Sequence, residues 1–369
     1  MTGKERVWGL LEKAGITIDG NNPYDIRVFN DKLYDRVFSG GPLAVGESYV
    51  DGWWDADNLS EFFTKALSAR LEDEIANFGL HIHILKAKLT NLQGVRRAFE
   101  VGERHYDAGN DLYKKMLDKR MVYTCGYWKD ANNLGEAQEH KLDLVCKKIG
   151  LKKGDRILDI GCGWGSFAKV AAEHYGAEVV GITISKEQKA LADELVEGLP
   201  VEIRIQDYRA LNEKFDHIVS LGMFEHVGYK NYREFMKVAH RSLKDDGLFL
   251  LHTIGGNKSV FTTDPWVEKY IFPNGMLPSI KQIGDSIDGL FVMEDWHNFG
   301  TDYDKTLMSW FENFDKGWES IKENYDGRFY RMWKYYLLLS AGSFRARKNQ
   351  LWQIVLSKNG VSGGYTSVR

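Results

Sequence analysis

The residues whose types and spacing can most plainly do chemistry run from Ile157 to Gly165, ILDIGCGWG. An apolar run ends in an acid, Asp159, and Gly161, Gly163 and Gly165 follow at alternate positions, with Cys162 between the first two. Glycines at a strand-to-helix turn let the backbone come close to a bound nucleotide or amino-acid group, because a Cβ would collide with it. A dinucleotide site needs GxGxxG and a helix N-terminus open to pyrophosphate. Here the spacing is GxGxG and the acid precedes the first glycine. With four strand-like runs following, that pattern favours S-adenosylmethionine over a nicotinamide dinucleotide.

Two further groups fit the same ligand. Gly181-Ile182-Thr183-Ile184-Ser185 ends a second apolar run, with Gln188 one helical turn on. Nucleotide folds place an acid there to accept from the ribose hydroxyls; Thr183 stands in its place, so Gln188 is the candidate for that role. Asp207 and Tyr208 close a third run, where an acid can accept from an adenine amino group. Ser185 and Asp207 are equally good helix N-caps, and capping is compatible with ligand contact.

The elements that must position these residues are legible from periodicity. Arg156 to Ile160, Glu178 to Thr183, Val201 to Gln206, Phe215 to Ser220 and Gly247 to Thr253 read as strands. Helices are expected from the glycine turn through Tyr175, at Ser185 to Glu197 and at Tyr232 to Leu243. This alternation predicts an α/β fold with a doubly wound, mostly parallel sheet. After Thr253 a loop-rich stretch extends from Gly255 to Gly289, then a strand at Phe291 to Trp296. Leu307, Trp310, Phe311, Phe314, Trp318 and Ile321 mark a long amphipathic helix, and Leu351 to Leu356 a last strand. Upstream, Phe62, Phe63, Ala66, Leu67, Leu71, Ile75 and Phe78 fall at helical spacing between turn clusters. We expect a smaller, mainly helical N-terminal domain over 1–95 and a catalytic domain over 96–369.

Bulk properties narrow the function classes. A length of 369 residues favours two domains. A formal net charge of -3 gives no general attraction to nucleic acid. Cys125, Cys146 and Cys162 are an odd number with no CxxC, which argues against a disulfide framework or a metal site and for a reducing cytosol. The first residues carry no secretory pattern, and no run of about eighteen apolar residues predicts a spanning helix. From His81 to Arg97, apolar residues interleave with Lys86, Lys88, Arg96 and Arg97 and no acid. That composition suits an interfacial helix on an anionic membrane, and equally a linker helix packed on its neighbour. Residues 327–369 carry eight Lys and Arg and no acid; they are either a headgroup-attracting run, with Arg345, Arg347 and Lys348 as contacts, or a solvated face.

Several motifs, taken together and in order, resemble the bacterial cyclopropane-fatty-acyl-phospholipid synthases and, less completely, the mycolic-acid cyclopropane synthases. They are VYTCGYW (Val122 to Trp128), ILDIGCGWG, GITISKEQ (Gly181 to Gln188), GMFEHVG (Gly222 to Gly228), LLHTIG (Leu250 to Gly255), KYIFPNGMLPS (Lys269 to Ser279) and MEDWHNFG (Met293 to Gly300). The resemblance covers most of the chain, including YVDGWW (Tyr49 to Trp54). It implies a Rossmann-like S-adenosylmethionine-dependent methyltransferase fold with a seven-stranded sheet. It also implies a reaction, in which a methylene bridges the cis double bond of an unsaturated phospholipid acyl chain through a carbocation deprotonated by bound bicarbonate. By motif position it implies Cys125, Glu225, His252, Ile254 and Tyr303 for the bicarbonate pocket. Tyr123, Thr124, Gly161 to Gly163, Thr183 to Gln188, Asp207 and Tyr208 are implied for the cofactor. A cytoplasmic enzyme that binds the inner membrane face reversibly, as a homodimer, completes the expectation.

The residue types suit that chemistry. An olefin needs no general base to attack, only a dry, aligned pocket and stabilisation of developing positive charge. Aromatic faces supply that at about 2 kcal/mol each when desolvated, with Tyr123, Tyr127, Trp128 and Phe224 in the relevant motifs. His252 and Tyr303 could hold a bicarbonate while Glu225 accepts its hydroxyl hydrogen. Taken singly, Cys125 reads as a small buried hydrophobe, His252 as a locally satisfied histidine and Tyr303 as a helix-opening residue. Ser340 stands where many such synthases have cysteine, so no thiolate is required there. Two enzymatic alternatives stay open: a lipid C-methyltransferase giving a branched or hydroxylated product, and a small-molecule N-methyltransferase.

Overall fold

A computed structural model of the chain describes residues 3–75 and 109–369. The segment from His81 to Arg97, the position Phe78 and the division expected near residue 95 lie outside the described residues. Among those described, 109–260, 274–302 and 350–369 form one compact unit, and 3–75, 261–273 and 303–349 another. The chain therefore returns to its N-terminal unit at 261–273 and again, late, at 303–349.

The first of these units is built on a seven-stranded sheet. Its strands are β3 (Arg156–Ile160), β4 (Glu178–Thr183), β5 (Val201–Ile205), β6 (Phe215–Leu221), β7 (Leu243–Gly256), β8 (Val292–Asn298) and β9 (Asn349–Ser357). Their spatial order is β5-β4-β3-β6-β7-β9-β8. The first five pair in parallel, whereas β8 and β9 pair antiparallel. The fold is the doubly wound α/β architecture expected, and it reverses direction at β3.

RILDI shows no alternation of polarity because helices cover both faces of the sheet. Ile157 joins a core with Phe167, Val170 and Ala171 of the helix Ser166–Tyr175 and with Leu142 and Val145 of the helix Leu134–Lys148. Its neighbour Leu158 turns to the other face, among Phe235, Met236 and Val238 of the helix Tyr232–Ser242. Inside the stretch expected to be loop, the helices Pro265–Tyr270 and Ile280–Ile287 form. The second is closed by a capping box, in which the Ser279 hydroxyl accepts from Gln282 N–H and the Gln282 side chain from Ser279 N–H.

The helical unit holds Leu33–Val50, Leu59–Ser68, Leu71–Ile75 and Gly327–Arg345, with a short pair β1 (Arg27–Val28) and β2 (Trp54–Asp55). The periodic run from Leu59 breaks after Ser68, where Arg70 takes φ 56. The helix Gly327–Arg345 packs on Leu59–Ser68 through Gly342, whose Cβ would lie 2.6 Å from Phe63 Cβ. The helix Thr301–Gly317 ends sooner than its apolar spacing predicts, and Trp318 opens a single 3-10 turn.

Six of the eight basic residues at 327–369 make internal ion pairs. In the helical unit Arg328 pairs with Asp51, Arg331 with Asp55, Arg345 with Asp304 and Glu61, and Lys348 with Glu72. In the sheet unit Lys358 pairs with Asp245 and Arg369 with Asp295. Arg345 and Lys348, singled out for headgroup contact, are thus already bound to carboxylates. Among the described residues no helix is long and apolar enough to cross a membrane.

Candidate active site

Four loops at the carboxyl ends of the parallel strands carry part of the expected set. After β3, Gly161 takes φ 82, and its N–H and that of Cys162 both donate to Ile182 O, at 3.0 Å each. A Cβ on Gly161 would stand 2.6 Å from Met223 Cβ, so the backbone there meets the β6 loop with no room for a side chain. Gly163 at φ 55 faces open space, and Gly165 at φ 80 opens the helix Ser166–Tyr175. This is a cradle that side chains would fill, as a bound cofactor requires.

Asp159 is 1% exposed, and its Oδ1 has no hydrogen-bond partner among the described residues. Burial pushes its carboxyl up to about 7, against the pull of Lys141. After β4, the Thr183 hydroxyl donates to Gln188 Oε1 at 2.9 Å. That bond fixes the Gln188 amide with its NH₂ end left to donate. Ser185 caps its helix by accepting from Gln188 N–H at 3.2 Å, and Ile184 lies between them in the buried turn. After β5, Asp207 accepts from Arg209 N–H at 2.8 Å and is paired with the Arg209 guanidinium. The buried Tyr208 hydroxyl has no hydrogen-bond partner among the described residues, and burial raises it to about 12.

After β6 the single turn Phe224–His226 carries Glu225. Its Oε1 accepts from Ile254 N–H at 2.7 Å, which ties the β6 loop to β7. Gly222 N–H donates to His252 O at 2.9 Å and makes a second tie. Glu225 and Ile254 are thereby brought together, with His252 two residues before Ile254 on the same strand face. Glu225 Oε2 and His252 Nε2 are buried and have no hydrogen-bond partner among the described residues. Burial pushes Glu225 up to about 7 and His252 well below the usual imidazole range, with Lys141 and Lys148 adding to the second shift. A buried acceptor and a buried neutral imidazole edge are what a small hydrogen-bonding anion needs.

Cys125 is fully buried, and its thiol donates to Gly126 O at 3.1 Å, so its packing accounts for it. Tyr123 stands edge-on to Tyr113 at 5.2 Å. Phe224 is stacked on Tyr232 at 4.3 Å in the main core, which removes it from the aromatic pocket wall expected of it. Tyr303 belongs to the helical unit, beside Phe344 at 4.6 Å and Trp310 at 5.9 Å.

One buried charged group bonded to an expected site residue escaped sequence reasoning. Lys141 is fully buried, and its ammonium donates to Thr124 Oγ1 at 2.9 Å. Burial brings it down to about 8, while Asp118, Cys125 and Asp159 pull it back up. Gln138, one turn earlier, donates to Thr124 O at 2.8 Å. The signal was present: 134, 138, 141, 145 and 148 form one helical stripe, and three of its five members are polar.

Comparison with known proteins follows the same residues. A family model described as mycolic acid cyclopropane synthetase matches residues 93–354. The cyclopropane-fatty-acyl-phospholipid synthase of Escherichia coli strain K12 is 55% identical over 361 residues, which cover 98% of this chain and 94% of that one. Sphingolipid C9-methyltransferase 2 of Gibberella zeae is 36% identical over 272 residues, 69% of this chain and 52% of its own. Among solved structures, a mycolic acid cyclopropane synthase complexed with SAH and CTAB superimposes with a TM-score of 0.66 at 31% identity, over 70% of this chain and 98% of that one.

Proposed function

The chain belongs to the mycolic acid cyclopropane synthetase family, as an S-adenosylmethionine-dependent methyltransferase, and from that premise we propose that it closes cyclopropane rings on unsaturated phospholipid acyl chains. The observation that carries the reading is the paired ends of β6 and β7. There Glu225 Oε2 and His252 Nε2 are buried polar atoms with no hydrogen-bond partner among the described residues.

Bound S-adenosylmethionine supplies an electrophilic methyl, and bound bicarbonate supplies a base for the proton lost at ring closure. The residues fitted to the first are Tyr123, Thr124, Asp159, Gly161 to Gly163, Thr183 to Gln188, Asp207 and Tyr208. Gly161, with no space for a Cβ, and the Gln188 amide held by Thr183 support that assignment. Cys125, Glu225, His252 and Ile254 are fitted to the second. Glu225 offers an acceptor, His252 an edge that stays neutral, and Ile254 a backbone amide already engaged in fixing Glu225. Tyr303 completes the set by motif position. The burial of Glu225 and His252 keeps the site poor in water, so that a cation meets no hydroxide.

Residues 1–95 serve as the accessory domain and 96–369 as the catalytic one. The enzyme works from the cytoplasmic side on the inner membrane face, binding reversibly, and as a homodimer. Unsaturated phospholipid vesicles incubated with isotope-labelled S-adenosylmethionine and the purified protein test the reading. Mass spectrometry should show a labelled cyclopropane ring. A labelled methyl branch or alcohol would instead make the protein a lipid C-methyltransferase, and label on soluble amines alone would overturn the lipid substrate.

A further inference from the structure

His252 lies in β7, and the strand beside it is β9. From β9 the Gln353 side chain, fully buried, approaches His252 Nδ1 through Nε2 at 3.3 Å. A neutral imidazole carries one proton, on either Nδ1 or Nε2, and the partner of one nitrogen decides the state of the other. With the amide N–H of Gln353 donating to Nδ1, the proton must sit on Nε2. We propose that Gln353 is a positioning residue that fixes His252 as the Nε2–H tautomer and so presents a hydrogen-bond donor, not a lone pair, to the reacting centre.

The surroundings support the assignment. Burial and the charges of Lys141 and Lys148 resist protonation of the ring, so a doubly protonated imidazolium does not compete. Lys148 is itself buried and directs its ammonium to His297 Nδ1 at 3.0 Å. His297 is the register partner of Gln353 in β8, so its ring and the Gln353 side chain share one face. The Gln353 Oε1 has no hydrogen-bond partner among the described residues, so Nε2 is the end of the amide that is engaged. The consequence for chemistry is direct. An Nε2–H can donate to an oxygen of a bound anion, whereas an Nε2 lone pair would repel it, and the neutral ring cannot at the same time serve as the base there.

The inference rests on the reading of His252 as an anion-holding residue, and the test separates the two. Protein with isotope-labelled histidine rings is examined by nuclear magnetic resonance, with the His252 signal assigned by its loss in His252→Phe. The ring carbon and nitrogen shifts distinguish the tautomers. The expected result is the Nε2–H form in the unmodified protein, and its conversion to the Nδ1–H form in Gln353→Glu, whose carboxylate accepts where the amide donated. Gln353→Leu, of similar volume, should give a mixture. Turnover should fall roughly 100-fold in Gln353→Glu with the KM for S-adenosylmethionine unchanged. An Nδ1–H tautomer in the unmodified protein, or the same tautomer in all three proteins, overturns the proposal. A tautomer that shifts as expected while turnover stays full leaves Gln353 in its role and removes His252 from the anion site.

Discussion

At the scale of single residues, the site is a small set of buried groups whose protonation is set by what surrounds them. Glu225 illustrates the sign. Its carboxyl is raised from 4.5 to about 7, so the folded protein holds a proton that the unfolded chain releases in that window. Its contribution to stability is full below the unfolded value and is lost as pH rises through the folded one. Glu225→Gln should remove that slope from a series of thermal unfolding curves between those pH values. Turnover should drop by about 10²- to 10⁴-fold while calorimetric titration finds cofactor affinity nearly intact. Lys141→Met tests the hidden support. Thr124 would lose its donor and Asp159 its counter-charge, so the KM for S-adenosylmethionine should rise about tenfold, the worth of one charge-assisted hydrogen bond. An unchanged KM would reduce Lys141 to a packing residue.

At the scale of elements, glycines set the closest approaches. Gly342 lets the helix Gly327–Arg345 lie against Leu59–Ser68, with Ser60 O and Thr64 N each 3.0 Å from where a Cβ would stand. Gly342→Leu should cost about 1–3 kcal/mol by overpacking, read as a lower denaturant midpoint with an unchanged slope. The sheet was legible in the sequence: RILDI and EVVGIT are short apolar runs bounded by turn signals, and both strands begin and end where those signals fall. The helix Leu134–Lys148 was less so, because Gln138, Lys141 and Lys148 dilute its apolar stripe and hide the face that packs inward. The same dilution concealed Lys141 as a site residue. Glu225, Ile254 and His252 were found only through ordered motifs, since no spacing rule brings residues of two separate strands together. Gln353 carried no signal at all. A glutamine in an otherwise apolar strand becomes informative only once its neighbour across the sheet is known.

At the scale of the whole molecule, charge is arranged for cohesion within each unit. The one-sign run at 327–369 looked suited to anionic lipid, yet Arg345 reaches Asp304 at 2.7 Å, and Lys348 is bound to Glu72. Removing both, as Arg345→Ala with Lys348→Ala, should lower the melting temperature by a few degrees, in line with about 1–2 kcal/mol for partly exposed pairs. Sedimentation with anionic vesicles should stay as it was. A loss of vesicle binding at unaltered melting temperature would restore the headgroup role.

The late return of the chain to its N-terminal unit bears on biosynthesis. Ser60 and Arg345, bonded in the finished protein, are separated by 285 positions. At roughly 5–20 residues per second, a ribosome needs on the order of 15–60 s to deliver the second after the first. For that interval Phe62 and Phe63, buried in the completed unit, lie on a nascent segment whose lid has not been translated. Such a segment is a client for a ribosome-associated holdase. A fragment ending before residue 303 should accumulate as inclusion bodies, however well its own helices are encoded.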